Sequence, residues 1–268
     1  MITDIVNGTD RNKYMTEKIF ERDGKRIYGK LYEPDVEDNG NYPIVIIGHG
    51  YGEDSSDVEN YANAFARHGI GAYAFDFIGG SKNSRSEGEV EEMSVLTEAR
   101  DLDTVLDGIE ELPNVDKDNI FLMGESQGGF VASYVASKRG EELKGLMALY
   151  PAYVIHDDAW RRTPDPKEIP EKMNMMGMTI GRKYNEDAMS FNIYDMLPDY
   201  DGNVLILHGT SDHLVPIAYS EKAVEKFPSA ELVKIDDAGH GFHGADDKFA
   251  TKRMIRFVKE NVAAGRVS

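Results

Sequence analysis

A serine stands between glycines at Gly124-Glu125-Ser126-Gln127-Gly128, inside the stretch FLMGESQGGFVAS (Phe121–Ser133). A G-x-S-x-G pattern directly after an apolar run and before a small-residue helical stretch marks a sharp strand-to-helix turn that holds the serine Oγ free. Glycines two before and two after the serine spare the crowded backbone a clash. The plainer reading is a hydroxyl at an ordinary turn. A serine becomes a useful nucleophile only when a base takes its proton, and the chain offers seven histidines. With the nucleophile on such an elbow, the order Ser…Asp…His puts the base after the last strand and the acid after the strand before it. That order selects His240, in DDAGHGFHG, and Asp212, in HGTSDHLVP. Asp212 would fix the imidazole tautomer and stabilise the imidazolium; its plainer role is an Asx-turn. His243, Asp236 and Asp237 are the neighbouring rivals. His208 and His213 share the loop of the acid, His49 reads as a loop-packing residue, and His68 and His156 carry no motif. The chemistry of such a constellation is acyl transfer through a covalent acyl-serine. It needs two donors for the tetrahedral oxyanion, worth on the order of 3 kcal/mol each. The expected donors are the backbone N–H of Gln127 and that of Tyr51 in HGYG (His49–Gly52).

The elements that must position these residues alternate along the chain. MTEKIFERDGKRIYGKLYEP (Met15–Pro34) reads as a hairpin turning at Asp23-Gly24. YPIVIIGHGYG reads as a buried strand running into a glycine loop, and Val58 to Arg67 as a helix. IGAYAFDF is the next strand and Met93 to Leu112 a long amphipathic helix, with Leu96, Ala99, Leu102, Val105, Leu106 and Ile109 on one face. NIFLMG, LKGLMALYP, NVLILHG and AELVKID are further strands, with helices at QGGFVASYVASKRG, at PIAYSEKAVEKF and from about Asp246 to Val262. Apolar strands alternating with helices predict an α/β protein with a mostly parallel, doubly wound sheet. The stretch from about Ala152 to Asp201 breaks the rhythm. It shows no clear strand and holds the single Trp160 and six of the twelve methionines. A long insertion in a compact domain is usually functional, and its place predicts a lid over the ends of the sheet. The expected division is therefore a core of residues 1–151 and 202–268 with a lid of 152–201.

Composition narrows the function. Lys and Arg number 30 against 48 Asp and Glu, a net charge of −18. Such an acidic chain is a poor partner for nucleic acid or an anionic membrane. There is no cysteine, so no disulfide, thiolate nucleophile or Cys-ligated zinc. His240-x-x-His243 lacks the supporting ligands of a metal site, and IGGSKNSRSEGE lacks the lysine and spacing of a phosphate loop. No apolar run approaches the roughly 18 residues of a membrane span, and the first residues show no signal-peptide core. A cytoplasmic protein is expected, with no metal.

HGYG, GESQGG, HGTSDHLVP and AGHGF together resemble the α/β-hydrolase superfamily from about Lys25 to Val262. Within it the chain is most similar to bacterial cinnamoyl/feruloyl esterases and monoglyceride-lipase-like esterases, by the S-Q-G-G elbow and the lid-like insertion. The resemblance implies a mostly parallel central sheet flanked by helices, with an inserted lid. It also implies ester hydrolysis through an acyl-enzyme, with no cofactor and a small-molecule ester as partner. It places the nucleophile at Ser126, the acid at Asp212, the base at His240 and the oxyanion donors at Tyr51 and Gln127. In feruloyl esterases the insertion grips a phenolic ring, which makes Tyr153, Asp157, Asp158, Trp160 and Tyr184 substrate-binding candidates here, Trp160 by stacking. Glu125 departs from the histidine common at that position in these esterases, although carboxylesterases carry glutamate there. A peptidase or amidase, or an acyltransferase or thioesterase, would use the same three residues. A non-catalytic binding module would be expected to have lost one of them. A homodimer stays open.

Overall fold

The structure is a computed structural model describing residues 15–35 and 40–264. The run YPIVIIG extends as β3 (Tyr42–Gly48), buried along its length except at Pro43. A strand buried on both faces needs a layer on each side. Successive β3 side chains divide between two cores, as the period of two requires. Ile44 and Ile46 enter one cluster, with Leu102 and Val105 of α2 (Val95–Glu110) and Phe130 and Val131 of α3 (Gln127–Arg139). Val45 and Ile47 enter the other, with Ala62 and Phe65 of α1 (Glu59–Ala66) and Met254 and Val258 of α7 (Ala245–Ala263).

The hairpin expected at the start forms from β1 (Met15–Arg22) and β2 (Lys25–Tyr32). Asp23 and Gly24 both take positive φ, 53° and 76°, the requirement of a type I′ turn. Strands β4 (Gly71–Phe75), β5 (Val115–Glu125), β6 (Gly145–Leu149), β9 (Asn203–Gly209) and β10 (Ala230–Ile235) complete the large sheet. Its order is β1-β2-β4-β3-β5-β6-β9-β10, and every pairing from β4 onward is parallel. After β3 the chain builds β4 on one side, then returns to lay β5 on the other. The crevice outside the carboxyl ends of two such strands is where open α/β sheets bind ligands. Here it lies at the ends of β3 and β5, where HGYG and Ser126 follow.

Between β6 and β9 the chain forms α4 (Ile155–Arg162), a hairpin of β7 (Lys172–Met175) and β8 (Met178–Gly181), and α5 (Arg182–Met189). The sequence reading expected no strand in this stretch, and the hairpin corrects it. Its two strands have four residues each and turn at Met176-Gly177, with φ of 49° and 84°. A methionine at a positive-φ turn position gives no signal of the Asn-Gly kind. Among the described residues, no helix is long and apolar enough to cross a membrane.

Candidate active site

Ser126 lies between the last residue of β5 and the first of α3, with φ 49° and ψ −116°. A non-glycine residue at positive φ is strained, and the surroundings must hold it there. Its N–H donates to Leu149 O at 2.9 Å, and its carbonyl accepts from Ala152 N–H at 2.8 Å and Phe130 N–H at 3.1 Å. The flanking glycines are a packing requirement. A Cβ on Gly124 would fall 2.3 Å from the backbone of Gly128, and one on Gly128 would fall 2.4 Å from Gly48 O and 2.5 Å from His49 O. The start of α3 therefore presses directly on the loop after β3.

His240, in the loop after β10, has Nε2 3.0 Å from Ser126 Oγ and Nδ1 2.7 Å from Asp212 Oδ2. A ring nitrogen facing a carboxylate carries the proton, which leaves Nε2 to accept from the serine hydroxyl. Asp212, after β9, is fixed from several sides. Its Oδ1 accepts the N–H of Leu214 and of Val215, at 2.9 and 2.8 Å. The Asx-turn and the contact to His240 are thus one arrangement. The second oxygen also lies 3.1 Å from Nε2 of His208, which is fully buried. His208 Nε2–H also faces Val215 O at 2.9 Å, and its Nδ1 accepts from Ser220 Oγ–H at 2.7 Å. Burial pushes the Asp212 carboxyl up, but the hydrogen bonds from His208, His240 and Val215 outweigh it and hold the group well below the usual carboxylate range. The arrangement can pass a proton from Ser126 to His240 beside a permanent negative charge.

Ser126 opens into a cavity of about 270 Å³, whose walls include Tyr51, Gln127, Ile155, Asp158, Arg162, Met175, Tyr184 and Leu214. Gln127 is the first residue of α3, so its N–H has no intrahelical acceptor. The Tyr51 backbone lies in the loop pressed on Gly128, and its side-chain OH donates to Met175 O of the hairpin at 3.1 Å. A wider groove of about 690 Å³ between α1 and α7 contains none of Ser126, Asp212 or His240. Among the described residues, no group of three or more His, Asp or Glu side chains converges as metal ligands.

A family profile described as "Serine aminopeptidase, S33" matches residues 41–187, more than half of the chain. The chain belongs to this family. A second profile, "alpha/beta hydrolase fold", matches residues 174–246. The chain is 23% identical to a monoacylglycerol lipase of Mycolicibacterium smegmatis, over 78% of its own length and 83% of the relative. It is 22% identical to a putative esterase/lipase of Haemophilus influenzae, over 84% and 86%. Its fold is similar to that of Est1E from Butyrivibrio proteoclasticus with ferulic acid bound. The TM-score is 0.84 at 24% identity, covering 92% of this chain and 99% of that one.

This α/β-hydrolase brings some of the predicted side chains to its cavity and turns others away. Tyr184 and Asp158 line it. Trp160, Tyr153 and Asp157 do not line it, and for the two on α4, Asp157 and Trp160, the cause is helical phase. Ile155, Asp158 and Arg162 of α4 are spaced i, i+3, i+7 and share the inner face. Trp160 is two residues from Asp158, hence on the far side; it is 39% exposed and donates Nε1–H to His156 Nε2 at 3.1 Å. Asp157 accepts from Tyr219 O–H at 2.8 Å. Tyr153 precedes α4 and sinks into the core, its OH 2.8 Å from Ser133 Oγ.

Two buried carboxyls lie behind the site: Glu98, for which the sequence carries no signal, and Glu125, whose place beside Ser126 is visible in the sequence but whose partners are not. Gln127 Nε2 donates to Glu98 Oε2 at 2.8 Å and Gln127 Oε1 accepts from Tyr184 O–H at 2.6 Å. Burial pushes Glu98 up to about 8, Gln127 opposing and Asp101 adding to the rise. Glu125 accepts from Tyr150 O–H at 2.7 Å and shares a hydrogen bond with Glu53, whose Oε2 accepts Gly50 N–H at 2.8 Å. Burial first, then the Glu53 charge, raises Glu125 well above the ordinary carboxyl range. The proton held between the two carboxyls ties the residue before Ser126 to the residue before Tyr51. The Tyr150 ring also packs edge-on against His240, centroids 4.8 Å apart.

Proposed function

We propose that the hydrolase is a serine carboxylic-ester hydrolase working through an acyl-enzyme. The observation that carries the reading is the unbroken chain Ser126 Oγ–His240–Asp212, at 3.0 and 2.7 Å, on a strained elbow that opens into a cavity. His240 Nε2 takes the Ser126 proton as Oγ attacks the ester carbonyl. The tetrahedral oxyanion is met by the N–H groups of Gln127 and Tyr51. Collapse breaks the ester C–O bond, and His240 returns the proton to the leaving alcohol. Water, deprotonated by the same imidazole, then attacks the acyl-serine; the C–Oγ bond breaks, His240 returns the proton to Ser126 Oγ, and the acid leaves. Asp212 stays ionised throughout and stabilises the imidazolium.

A cavity of about 270 Å³ with tyrosine, methionine and aliphatic walls fits a small aromatic or short aliphatic acyl group, hydroxycinnamates among them. The segment 152–201 acts as the lid, since α4, the hairpin and α5 supply much of the wall. The second reading is a peptidase or amidase on the same triad, favoured by the family description. The deciding experiment compares wild type and Ser126→Ala on p-nitrophenyl butyrate, methyl ferulate and an aminoacyl-anilide, with circular dichroism to check the fold. Loss of ester turnover in a folded variant supports the assignment, and undiminished hydrolysis overturns it. Turnover of the anilide alone would select the second reading.

A further inference from the structure

Arg162 is the cation of the cavity wall, and its guanidinium is held from behind. Nη2–H and Nε–H both donate to Asn185 Oδ1, at 2.8 and 3.2 Å. Asn185 is itself fully buried on α5, and its Nδ2 donates to Ala159 O and Thr163 Oγ1, each at 3.3 Å. The fork therefore has a fixed anchor. A guanidinium carries five N–H donors, and two are used on Asn185. Among the described residues, no carboxylate lies within salt-bridge distance of Arg162. Its neighbour Arg161 pairs with Asp158 at 2.6 Å and so offsets the one carboxylate on the same inner face of α4.

The charged end, and not only the aliphatic stem, is close to the cavity. The guanidinium carbon lies 6.0 Å from the Tyr184 ring centre. Burial raises the Tyr51 and Tyr184 hydroxyls, and the Arg162 charge pulls both the other way. Both tyrosines line the cavity that holds Ser126. An anchored planar fork with free donors matches a carboxylate in two-point geometry.

We propose that Arg162 is a specificity-determining residue that receives a carboxylate carried by the substrate, making monoanionic esters the preferred substrates of the Ser126 site; this rests on the serine-esterase reading above. The charge is on the acyl part, as in half-esters of dicarboxylic acids, or on the alcohol part, as in esters of hydroxy acids.

Two matched pairs separate these sources: monomethyl adipate against methyl hexanoate, and 4-(butyryloxy)benzoate against phenyl butyrate, followed by proton release. For each pair the quantity read is the ratio of kcat/KM, anionic over neutral, in wild type, Arg162→Gln and Arg162→Lys. The expected result is a fall of at least tenfold in the ratio of one pair in Arg162→Gln, carried mainly by KM, with part of it restored in Arg162→Lys. Ratios that stay within twofold of wild type for both pairs in Arg162→Gln overturn the proposal, provided the variant melts as wild type does. A variant that melts early is replaced by Arg162→Met, read the same way. If wild type turns over none of the four esters, the esterase reading has failed and the proposal falls with it.

Discussion

Gly128 offers the sharpest perturbation of the site, because the two atoms that crowd it are backbone. In Gly128→Ala the new Cβ would lie 2.4 Å from Gly48 O and 2.5 Å from His49 O, where ordinary contact begins near 3.4 Å. Neither oxygen belongs to a side chain that can swing away. Gly48 closes a buried central strand, so the adjustment falls on the loop that follows it, the loop of Tyr51. Relieving the clash takes a displacement of roughly 1 Å, and misplacing reacting groups by about that much costs on the order of 10²-fold in rate. Overpacking adds ~1–3 kcal/mol of destabilisation, and in a chain of this size each kcal/mol lowers Tm by roughly 2–4 °C. Gly239→Ala is the matched control, since a Cβ there meets nothing within 4 Å. Initial rates on p-nitrophenyl butyrate with parallel thermal melts read both effects. A Gly128→Ala protein with kcat within threefold of wild type and an unshifted Tm would refute the packing of α3 on the loop of Tyr51.

Asp212→Asn removes the permanent charge and permits the wrong His240 tautomer, so kcat should drop by roughly 10⁴-fold; a loss under tenfold would show that Asp212 does not orient the base. Glu125 predicts a pH effect on stability. Its carboxyl is raised in the fold, whereas in the unfolded chain it ionises near the ordinary value. Its contribution is therefore complete at low pH and is lost as pH rises toward the folded pKa. Glu125→Gln mimics the protonated acid without titrating, so its Tm relative to wild type should climb as pH rises above the ordinary carboxyl range. A difference that stays flat with pH would contradict the shared proton. Tyr51→Phe cuts the tie to Met175 O while keeping the Tyr51 N–H. KM should rise severalfold with kcat little changed, and the reverse split would show that the hydroxyl serves the chemistry.

Several of these features were legible in the residues. The elbow could be read because glycine spacing, an apolar strand and a helix coincide within thirteen residues, and a local pattern of that kind survives folding. Asp212 and His240 followed from chain order once the strands were placed. The hairpin at Lys172–Gly181 was hidden because its strands are short and part-exposed and its turn carries methionine. Trp160 was drawn to the cavity by its chemistry and removed from it by the phase of α4, which residue type does not encode. Glu125 had no local explanation. Its partner Glu53 is far away in sequence, and the two meet only because β3 and β5 are neighbours in the sheet. Arg162 was invisible for a similar reason, since its anchor, Asn185, lies across the hairpin on another helix.

The central claim is that Ser126 is the nucleophile and His240 its base. A fluorophosphonate ester labels only a serine so activated. Intact-protein mass spectrometry after brief labelling should show one adduct per chain, located by peptide mapping to the segment containing Ser126, abolished in Ser126→Ala and strongly slowed in His240→Ala. No adduct on the wild-type chain, or an adduct mapped to another residue and retained in Ser126→Ala, would contradict the account.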